Sequence, residues 1–306
     1  MKSLKVEIIT PVHNRRELTL QFLKSLSRID RSGLNIHAII VDDGSTDGTT
    51  EAVSEKFPEV EIIKGDGNLW YTGGTNRGIE AALRHNPDYI LCVNNDSILE
   101  DKCVKKLVEC AEKYPHSVVG ALLLLWDTPH RVFQVSPEWK TSLGGWHHWY
   151  EQTIWTIPQK PWQVDVIVGN CVLFPAKAIR EVGLMNEKKF AQYGDAEYTP
   201  RMRKQGWQLL IEPCARVFCK PNDLPPKIRQ MPLKKLVRTL FFEPHNVHSL
   251  RRRFNMNLYG APNKLEGLFS FFVFFIRLAL RKNVELNSQK NEKPLAEVFA
   301  DKIVED

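Results

Sequence analysis

Hydrophobic and polar positions alternate along the first hundred residues in two different periods. Short β-branched runs at residues 6–10 (VEIIT), 36–41 (IHAIIV), 60–64 (VEIIK) and 89–93 (YILCV) read as strands. Between them lie amphipathic stretches at 15–28, through Lys56 and through Arg84, with a glycine-rich turn after the third run. Strand and helix in strict alternation predict a parallel sheet with crossover helices, half of a doubly wound α/β domain.

From about Gly120 the pattern loosens. Six tryptophans, Trp126, Trp139, Trp146, Trp149, Trp155 and Trp162, are scattered among short strands and proline turns, which predicts edge structure around a cleft. Order returns at 164–174 (VDVIVGNCVLF), followed by helices at 176–182 and 197–204, the second closed by Gly206, and by the strands WQLLI and ARVFC. The prolines between 221 and 226 mark a boundary, and no internal repeat is present. The expected organisation is a main domain over 1–222, in two halves, 1–100 and 101–222. A helical extension over 223–306 follows.

Charge sets that extension apart. The chain carries 42 Lys and Arg against 36 Asp and Glu, yet between Lys227 and Lys282 there are twelve basic residues and only two acids, Glu243 and Glu266. Within this module residues 268–280 read LFSFFVFFIRLAL, too short for the roughly 20 residues that span a bilayer. Five phenylalanines crowd between 269 and 275, with Arg251, Arg252 and Arg253 before them and Arg281 and Lys282 after. A greasy segment between cations suits the headgroup layer of an anionic membrane; a core helix or an oligomer contact is the alternative. Nucleic acid is not an expected partner, because no helix-turn-helix, RNA-recognition or zinc-finger signature accompanies the charge. Six cysteines without a C-x-x-C pair, and no cleavable leader at the start, predict a reduced, cytoplasmic setting, peripheral at the inner face of the cell membrane.

Ligands of open α/β sheets collect at the carboxyl ends of the strands. There the chain places Thr10-Pro11-Val12-His13-Asn14, then Asp42-Asp43-Gly44-Ser45-Thr46-Asp47, then Asn94-Asn95-Asp96. Residues 10–14 lack glycine, which disfavours a dinucleotide fingerprint, and no Walker loop is present. The glycines Gly65, Gly67, Gly73 and Gly74 permit close backbone approach to a ligand. Asp42 to Asp47 also fit an Asx-turn and helix cap, with Asp47 the better cap candidate. Asn94-Asn95-Asp96 combines a carboxylate with amide oxygens, hard donors suited to Mg2+ or Mn2+, although such a triplet also forms turns.

The segments IITPVHNRRE, IIVDDGSTDGT, GNLWYTGGTNRGI, VNNDS and FAQYGDAEYTPRMRKQG together resemble glycosyltransferase family 2, the inverting enzymes of GT-A fold, and look most like its rhamnosyltransferase-type bacterial members. The resemblance covers Val6 to about Lys220, and it implies that the 1–100 half binds the nucleotide-sugar and the 101–222 half carries catalysis and the acceptor. It implies a Rossmann-like, mostly parallel mixed sheet flanked by helices, and transfer of a sugar from a nucleoside-diphosphate donor, dTDP-rhamnose or a UDP-sugar, to a glycan or lipid-linked acceptor in cell-surface polysaccharide synthesis. Carried over by position, it implies that Pro11, His13, Asp42 and Asp43 line the base and ribose, that Asn68, Gly74 and Asn76 border the nucleotide-sugar pocket, and that Asn94 and Asn95 lie beside the diphosphate. Asp96, the one acid kept from the D-x-D element, becomes the ligand of a divalent cation. Gly194 stands where the family has the Glu of its Glu-Asp pair, leaving Asp195 as catalytic base, with Arg201 in the family's Arg position. Gly169, Asn170 and Glu197 fall to the acceptor side, with Trp70 and Trp146 as stacking candidates. Cys219 occupies the place of a frequent metal-ligating His and reads as a bystander, since thiolate is a soft ligand. Two rivals are a sugar nucleotidyltransferase, which would carry a glycine-rich loop after the first strand, and a nucleotide-sugar-binding protein without turnover, to which Gly194 and Cys219 lend weight.

Overall fold

The structure, a computed structural model, describes residues 3–134, 138–147, 149, 151–220, 231–243, 246–280 and 294–304. The boundary expected at 221–226 and the basic residues Lys227, Arg229, Arg281 and Lys282 lie outside the described residues.

The first half follows the expected alternation: β1 (Leu4–Val12), α1 (Arg16–Leu26), β2 (Leu34–Asp42), α2 (Thr49–Lys56), β3 (Glu61–Lys64), α3 (Trp70–Arg84) and β4 (Tyr89–Val93). Strands β3, β2, β1 and β4 pair in parallel in that order. Their side chains alternate between two cores: Ile9 and Ile39 face the core under α3, whereas Ile8 and Ile40 face the one under α1. Gly74 and Gly78, one turn apart, seat α3 on β1, since a Cβ would fall 2.9 Å from Pro11 Cβ and 3.1 Å from Ile9 Cβ respectively. One buried acid, Glu7, lies in β1 away from the strand ends. His37 Nδ1 is 2.7 Å and His85 Nδ1 3.3 Å from its carboxylate.

The second half departs from the sequence reading in three places. Short β5 (Ser97–Leu99) and α4 (Cys103–Lys113) lead into β6 (Ser117–Leu125), where loosening was expected from residue 120. The run SVVGALLLL shows no alternation because β6 sits inside the sheet, apolar on both faces, with all but Leu125 buried. Next come β7 (Val132–Gln134), the small pair β8 (Glu138–Lys140) and β9 (Gly145–His147), β10 (Trp162–Gln163), β11 (Cys171–Pro175), α5 (Ala176–Val182) and α6 (Asp195–Lys204). The run 164–174 is therefore not one element, because its first part forms the loop that carries Gly169 and Asn170. WQLLI and ARVFC, read as two strands, form one bulged strand, β12 (Gln208–Cys219), whose register shifts between Glu212 and Arg216 around Pro213, which has no N–H to donate. The path runs β10-β12-β6-β11-β4-β1-β2-β3, with β11 antiparallel to β4 and β6.

The described residues beyond 231 are mostly helical: α7 (Leu233–Phe242), α8 (Leu250–Gly260), α9 (Lys264–Ala279) and α10 (Leu295–Val298). Helix α8 packs on α6, and α9 on α8. Residues after 294 return to the main sheet, where Leu295 and Phe299 join its core and Val304 N donates to Pro161 O at 2.9 Å. No helix among the described residues is long and apolar enough to cross a membrane.

Candidate active site

The carboxyl ends of β1, β2 and β4, the first turn of α3 and the start of α6 meet in one place. Asp42 is buried, accepts from Ser45 N at 2.9 Å and from the Thr50 hydroxyl, and so shapes the 43–48 loop. Gly48 holds the cap position of α2, and Asp47, one residue earlier, makes the Asx-turn, accepting from Thr49 N at 3.1 Å and also from Arg16 N at 2.9 Å. Hydrogen bonding to Thr49 holds its carboxyl below the usual range. Asp43 reaches across to the glycine-rich turn, one oxygen accepting from Gly67 N at 2.8 Å and the other from Trp70 N at 3.0 Å. His13 is exposed, and its Nδ1 donates to the Asp43 carbonyl at 2.6 Å, an arrangement that fixes the tautomer because a carbonyl can only accept.

Trp70 begins α3 with a left-handed backbone, φ +56°, and a half-exposed indole. This turn joins the Asp43 end of the site to the Asp195 end. Thr72 N donates to Ala191 O at 3.0 Å, and the Tyr71 hydroxyl donates to Gly169 O at 3.1 Å. Gly169 N in turn donates to Asp195 Oδ2 at 3.0 Å. A side chain at Gly169 has no room, since its Cβ would lie 2.5 Å from the Tyr71 hydroxyl and 2.9 Å from Asp195 Cβ. Burial raises the Asp195 carboxyl above the ordinary aspartate range, and the Gly169 N–H and the Arg252 charge oppose that rise. Burial lifts the Tyr71 hydroxyl well above its usual value, and the negative charges of Asp195 and, to a smaller extent, Asp96 add to that rise.

Asp195 is the first residue of α6 rather than its cap; Gly194 holds that position. A Cβ at Gly194 would lie 2.7 Å from Thr72 Oγ1, 2.8 Å from Thr72 Cγ2 and 3.1 Å from Met185 Sδ, so α3 fills the space an acid would need.

Asp96 is buried and asymmetric. Its Oδ2 pairs with Arg15 at 3.0 Å, while Oδ1, like the neighbouring Asn94 Oδ1, has no hydrogen-bond partner among the described residues. Two orphaned oxygens at one strand end are the donor set a hard divalent cation takes, so the residues present fit such an ion. Cys219 lies beside them, within 3.8 Å of Ser97 Oγ and Asn170 Nδ2, with its thiol pushed up to about 12 by burial. A neutral thiol there is a bystander.

Several predicted residues support the site from behind. Asn76 is buried and clasps Met185, donating to its carbonyl at 2.9 Å and accepting from its amide at 3.0 Å. Asn95 donates to Thr19 at 3.0 Å. Glu197 is buried against Arg201 at 2.5 Å, and Arg201 donates to the carbonyls of Val182 and Leu184, both at 2.7 Å. Asn68 is exposed at the turn, its backbone N–H tied to Asp66. Pro11 and Gly74 pack against each other. Asn170 O accepts from Asn94 N at 3.0 Å, bringing the loop of Gly169 and Asn170 to the end of β4. Trp146 is buried beside Gly260.

The sequence reading overlooked Tyr71 and Thr72, although they stand inside the GNLWYTGG segment, and Arg15, although it stands in PVHNRRE. It also counted Arg252 only as membrane charge. Its guanidinium stacks 3.6 Å above the Tyr193 ring, near enough to Asp195 for its charge to act there.

Comparisons with known proteins bear on the family and the fold. A sequence model described as glycosyl transferase family 2 matches residues 7–183. The N-acetylglucosaminyl-diphospho-decaprenol L-rhamnosyltransferase of Mycobacterium tuberculosis is 26% identical over 221 residues, 65% of this chain and 70% of that protein. The fold matches the crystal structure of GalNAc-T7 with UDP, GalNAc and Mn2+ at a TM-score of 0.62 and 14% identity, over 95% of this chain and 59% of that one. It also matches S. aureus TarS 1-349 at 0.51 and 15%, over 94% and 76%. The architecture is the GT-A fold.

Proposed function

The chain belongs to glycosyl transferase family 2, and from that footing we propose that it transfers one sugar, with inversion, from a nucleoside-diphosphate donor to a glycan or lipid-linked acceptor in cell-surface polysaccharide synthesis. The observation that carries this reading is the partly buried Asp195 carboxylate, oriented by Gly169 N and raised in pKa, in electrostatic range of the same tyrosine as Asp96. A carboxylate made more basic suits removal of a proton from an acceptor hydroxyl. As that oxygen bonds to the anomeric carbon, the bond to the diphosphate oxygen breaks and its electron pair leaves with the nucleoside diphosphate. Inversion follows from one displacement.

Asp96 and Asn94 would hold a divalent cation, Mg2+ or Mn2+, which when bound supplies positive charge to the leaving diphosphate. The rhamnosyltransferase similarity favours dTDP-rhamnose as donor and a diphosphate-linked acceptor, and UDP in the GalNAc-T7 structure keeps UDP-sugars in view. His13 and Asp43 would meet the base and ribose.

The extension adds a location. Helix α9 buries Gly267, Ser270 and Phe274 and exposes Leu265, Leu268, Phe269, Phe272, Phe275 and Ile276, the reverse of a helix packed in a globule. Helix α7 exposes Leu233, Val237, Phe241 and Phe242, with Lys234, Lys235 and Arg238 alongside. This face suits the surface of an anionic membrane, peripheral and on the cytoplasmic side.

Asp195→Asn tests the central claim: it should bind UDP or dTDP with Mn2+ as wild type does in calorimetry, and lose transfer by about 10²- to 10⁴-fold. Transfer at the wild-type rate would remove the base and the mechanism with it. A binding protein without turnover is favoured by one observation, the closed space at Gly194; single-turnover donor consumption by wild type excludes it.

A further inference from the structure

The orphaned polar atoms around the site separate by sign. Asp96 Oδ1 and Asn94 Oδ1 are acceptors at the end of β4, whereas Nε and Nη1 of Arg252 on α8 are buried donors without a hydrogen-bond partner among the described residues. The acceptors suit a cation. The donors call for an acceptor, and among the described residues none is hydrogen-bonded to Nε or Nη1: Asp195 takes its hydrogen bond from Gly169 and acts on Arg252 through its charge, beside the contact that Arg252 makes with Tyr193.

We propose that Arg252 is an anion-binding residue of the transfer site, its free N–H donors receiving a phosphate oxygen of the bound substrate beside Asp195, so that the C-terminal extension completes the site. Guanidinium is the side chain best matched to phosphate, a planar, permanently charged array of donors, and its stacking on Tyr193 at 3.6 Å holds the plane while leaving the rim available. Tyr193 has a left-handed backbone, φ +62°, in the residue before Gly194-Asp195, a strained conformation that presents its ring to Arg252.

Arg252 does not reach the site on a loose tail. Asn255 donates to Lys189 O at 3.1 Å and Lys204 Nζ to Tyr259 O at 3.0 Å, fixing α8 to the base segment and to α6. Asn257 and Arg253 both donate to Gly144 O, at 3.1 and 3.2 Å. A Cβ at Gly260 would lie 3.0 Å from Ala196 O, so the two helices meet backbone to backbone. Burial lowers the Arg252 pKa, the cost of keeping a cation at a site before its counter-charge arrives.

Two substrates could bring the phosphate: the donor through its diphosphate, or an acceptor that carries phosphate next to the accepting sugar. This rests on the glycosyltransferase reading, and the experiment separates the two. Full-length wild type, Arg252→Gln and Arg252→Lys are titrated by calorimetry with UDP and dTDP plus Mn2+, and with farnesyl diphosphate in detergent as the acceptor-type probe, alongside thermal melts. Arg252→Gln should weaken one probe by about tenfold or more, with Arg252→Lys recovering part of the loss because charge returns without the planar fork. Loss confined to the nucleotides assigns the donor diphosphate; loss confined to farnesyl diphosphate assigns the acceptor. If wild type binds and Arg252→Gln binds every probe within twofold of it, the inference is overturned and the glycosyltransferase reading stands. If wild type binds no nucleotide, both fall. Should the Gln variant not fold, equal binding by Arg252→Lys and wild type overturns the inference as well.

Discussion

Asp195 and Gly169, distant in sequence, are joined by a 3.0 Å hydrogen bond from the glycine amide to the carboxylate. Because the Gly169 carbonyl also accepts from Tyr71, one residue sets the position of Asp195, the proposed base, relative to α3. Gly169→Ala would push a methyl against the Tyr71 hydroxyl and Asp195 Cβ, at 2.5 and 2.9 Å. Displacing a catalytic group by about 1 Å costs on the order of 10²-fold in rate. Single-turnover transfer should fall by that amount, with nucleotide affinity kept; an unchanged rate would show that the hydrogen bond does not orient the base.

The raised pKa of Asp195 makes a statement about stability. Its folded form binds a proton more tightly than the unfolded chain, whose aspartate titrates near 3.8, so its favourable contribution is complete below 3.8 and is lost as pH rises through the raised folded value. At neutral pH the ionised carboxylate is therefore a cost, and Asp195→Asn should be the more stable protein there. Urea unfolding from pH 3 to 8 should show the advantage of the Asn variant growing with pH and then levelling. In wild type the acid limb of transfer should lie above that of an ordinary aspartate. An advantage independent of pH would contradict the assignment.

Gly194→Glu, which restores the acid found elsewhere in the family, should harm this protein. Its Cβ would meet Thr72 Oγ1 at 2.7 Å, and overpacking of this kind costs about 1–3 kcal/mol. Thr72→Ala should relieve part of that loss, because the clash is pairwise. Thermal melts of the two single variants and the double variant measure the coupling; strict additivity would mean that the space is not closed by Thr72.

Arg15 holds Asp96 Oδ2 at 3.0 Å while half-exposed, and its positive charge opposes a cation at the free Oδ1 of the same carboxylate. Arg15→Gln should tighten Mn2+ binding by about two- to fivefold, the size expected of a partly solvated ion pair. Asp96→Ala should abolish the Mn2+-dependent part of UDP binding. A calorimetric Mn2+ titration in the presence of UDP checks both, and an Asp96→Ala protein with wild-type Mn2+ dependence would move the metal elsewhere.

The exposed phenylalanines of α9 should drive membrane association. Phe272 and Phe275 are both exposed, so replacing them with Asp should leave the fold intact while adding charge to the apolar face. Wild type should float with phosphatidylglycerol vesicles and be released in part by salt, and the double variant should stay in the dense fraction. Wild type that never floats defeats the membrane placement.

Much of this molecule was legible in its sequence. The alternation of β-branched runs and amphipathic stretches fixed β1 to β4 and their helices because those periods are local. The clusters at 10–14, 42–47 and 94–96 stood out because a strand must end where such residues begin. What depends on pairing across the chain was not legible. Strand β6 gave no periodic signal because both of its faces are covered, and β12 was split in reading by a proline that the sheet absorbs as a bulge. Tyr71 meets Gly169 across 98 positions and Arg15 meets Asp96 across 81, while Arg252 comes to Asp195 only because α8 docks on α6. The chain by itself determined which chemical groups are available and on which kind of element each one sits, since backbone period and side-chain type are properties of neighbouring residues. Only the tertiary structure decided which of those groups share one space, because that follows from strand order and helix docking, which the linear spacing of residues does not contain.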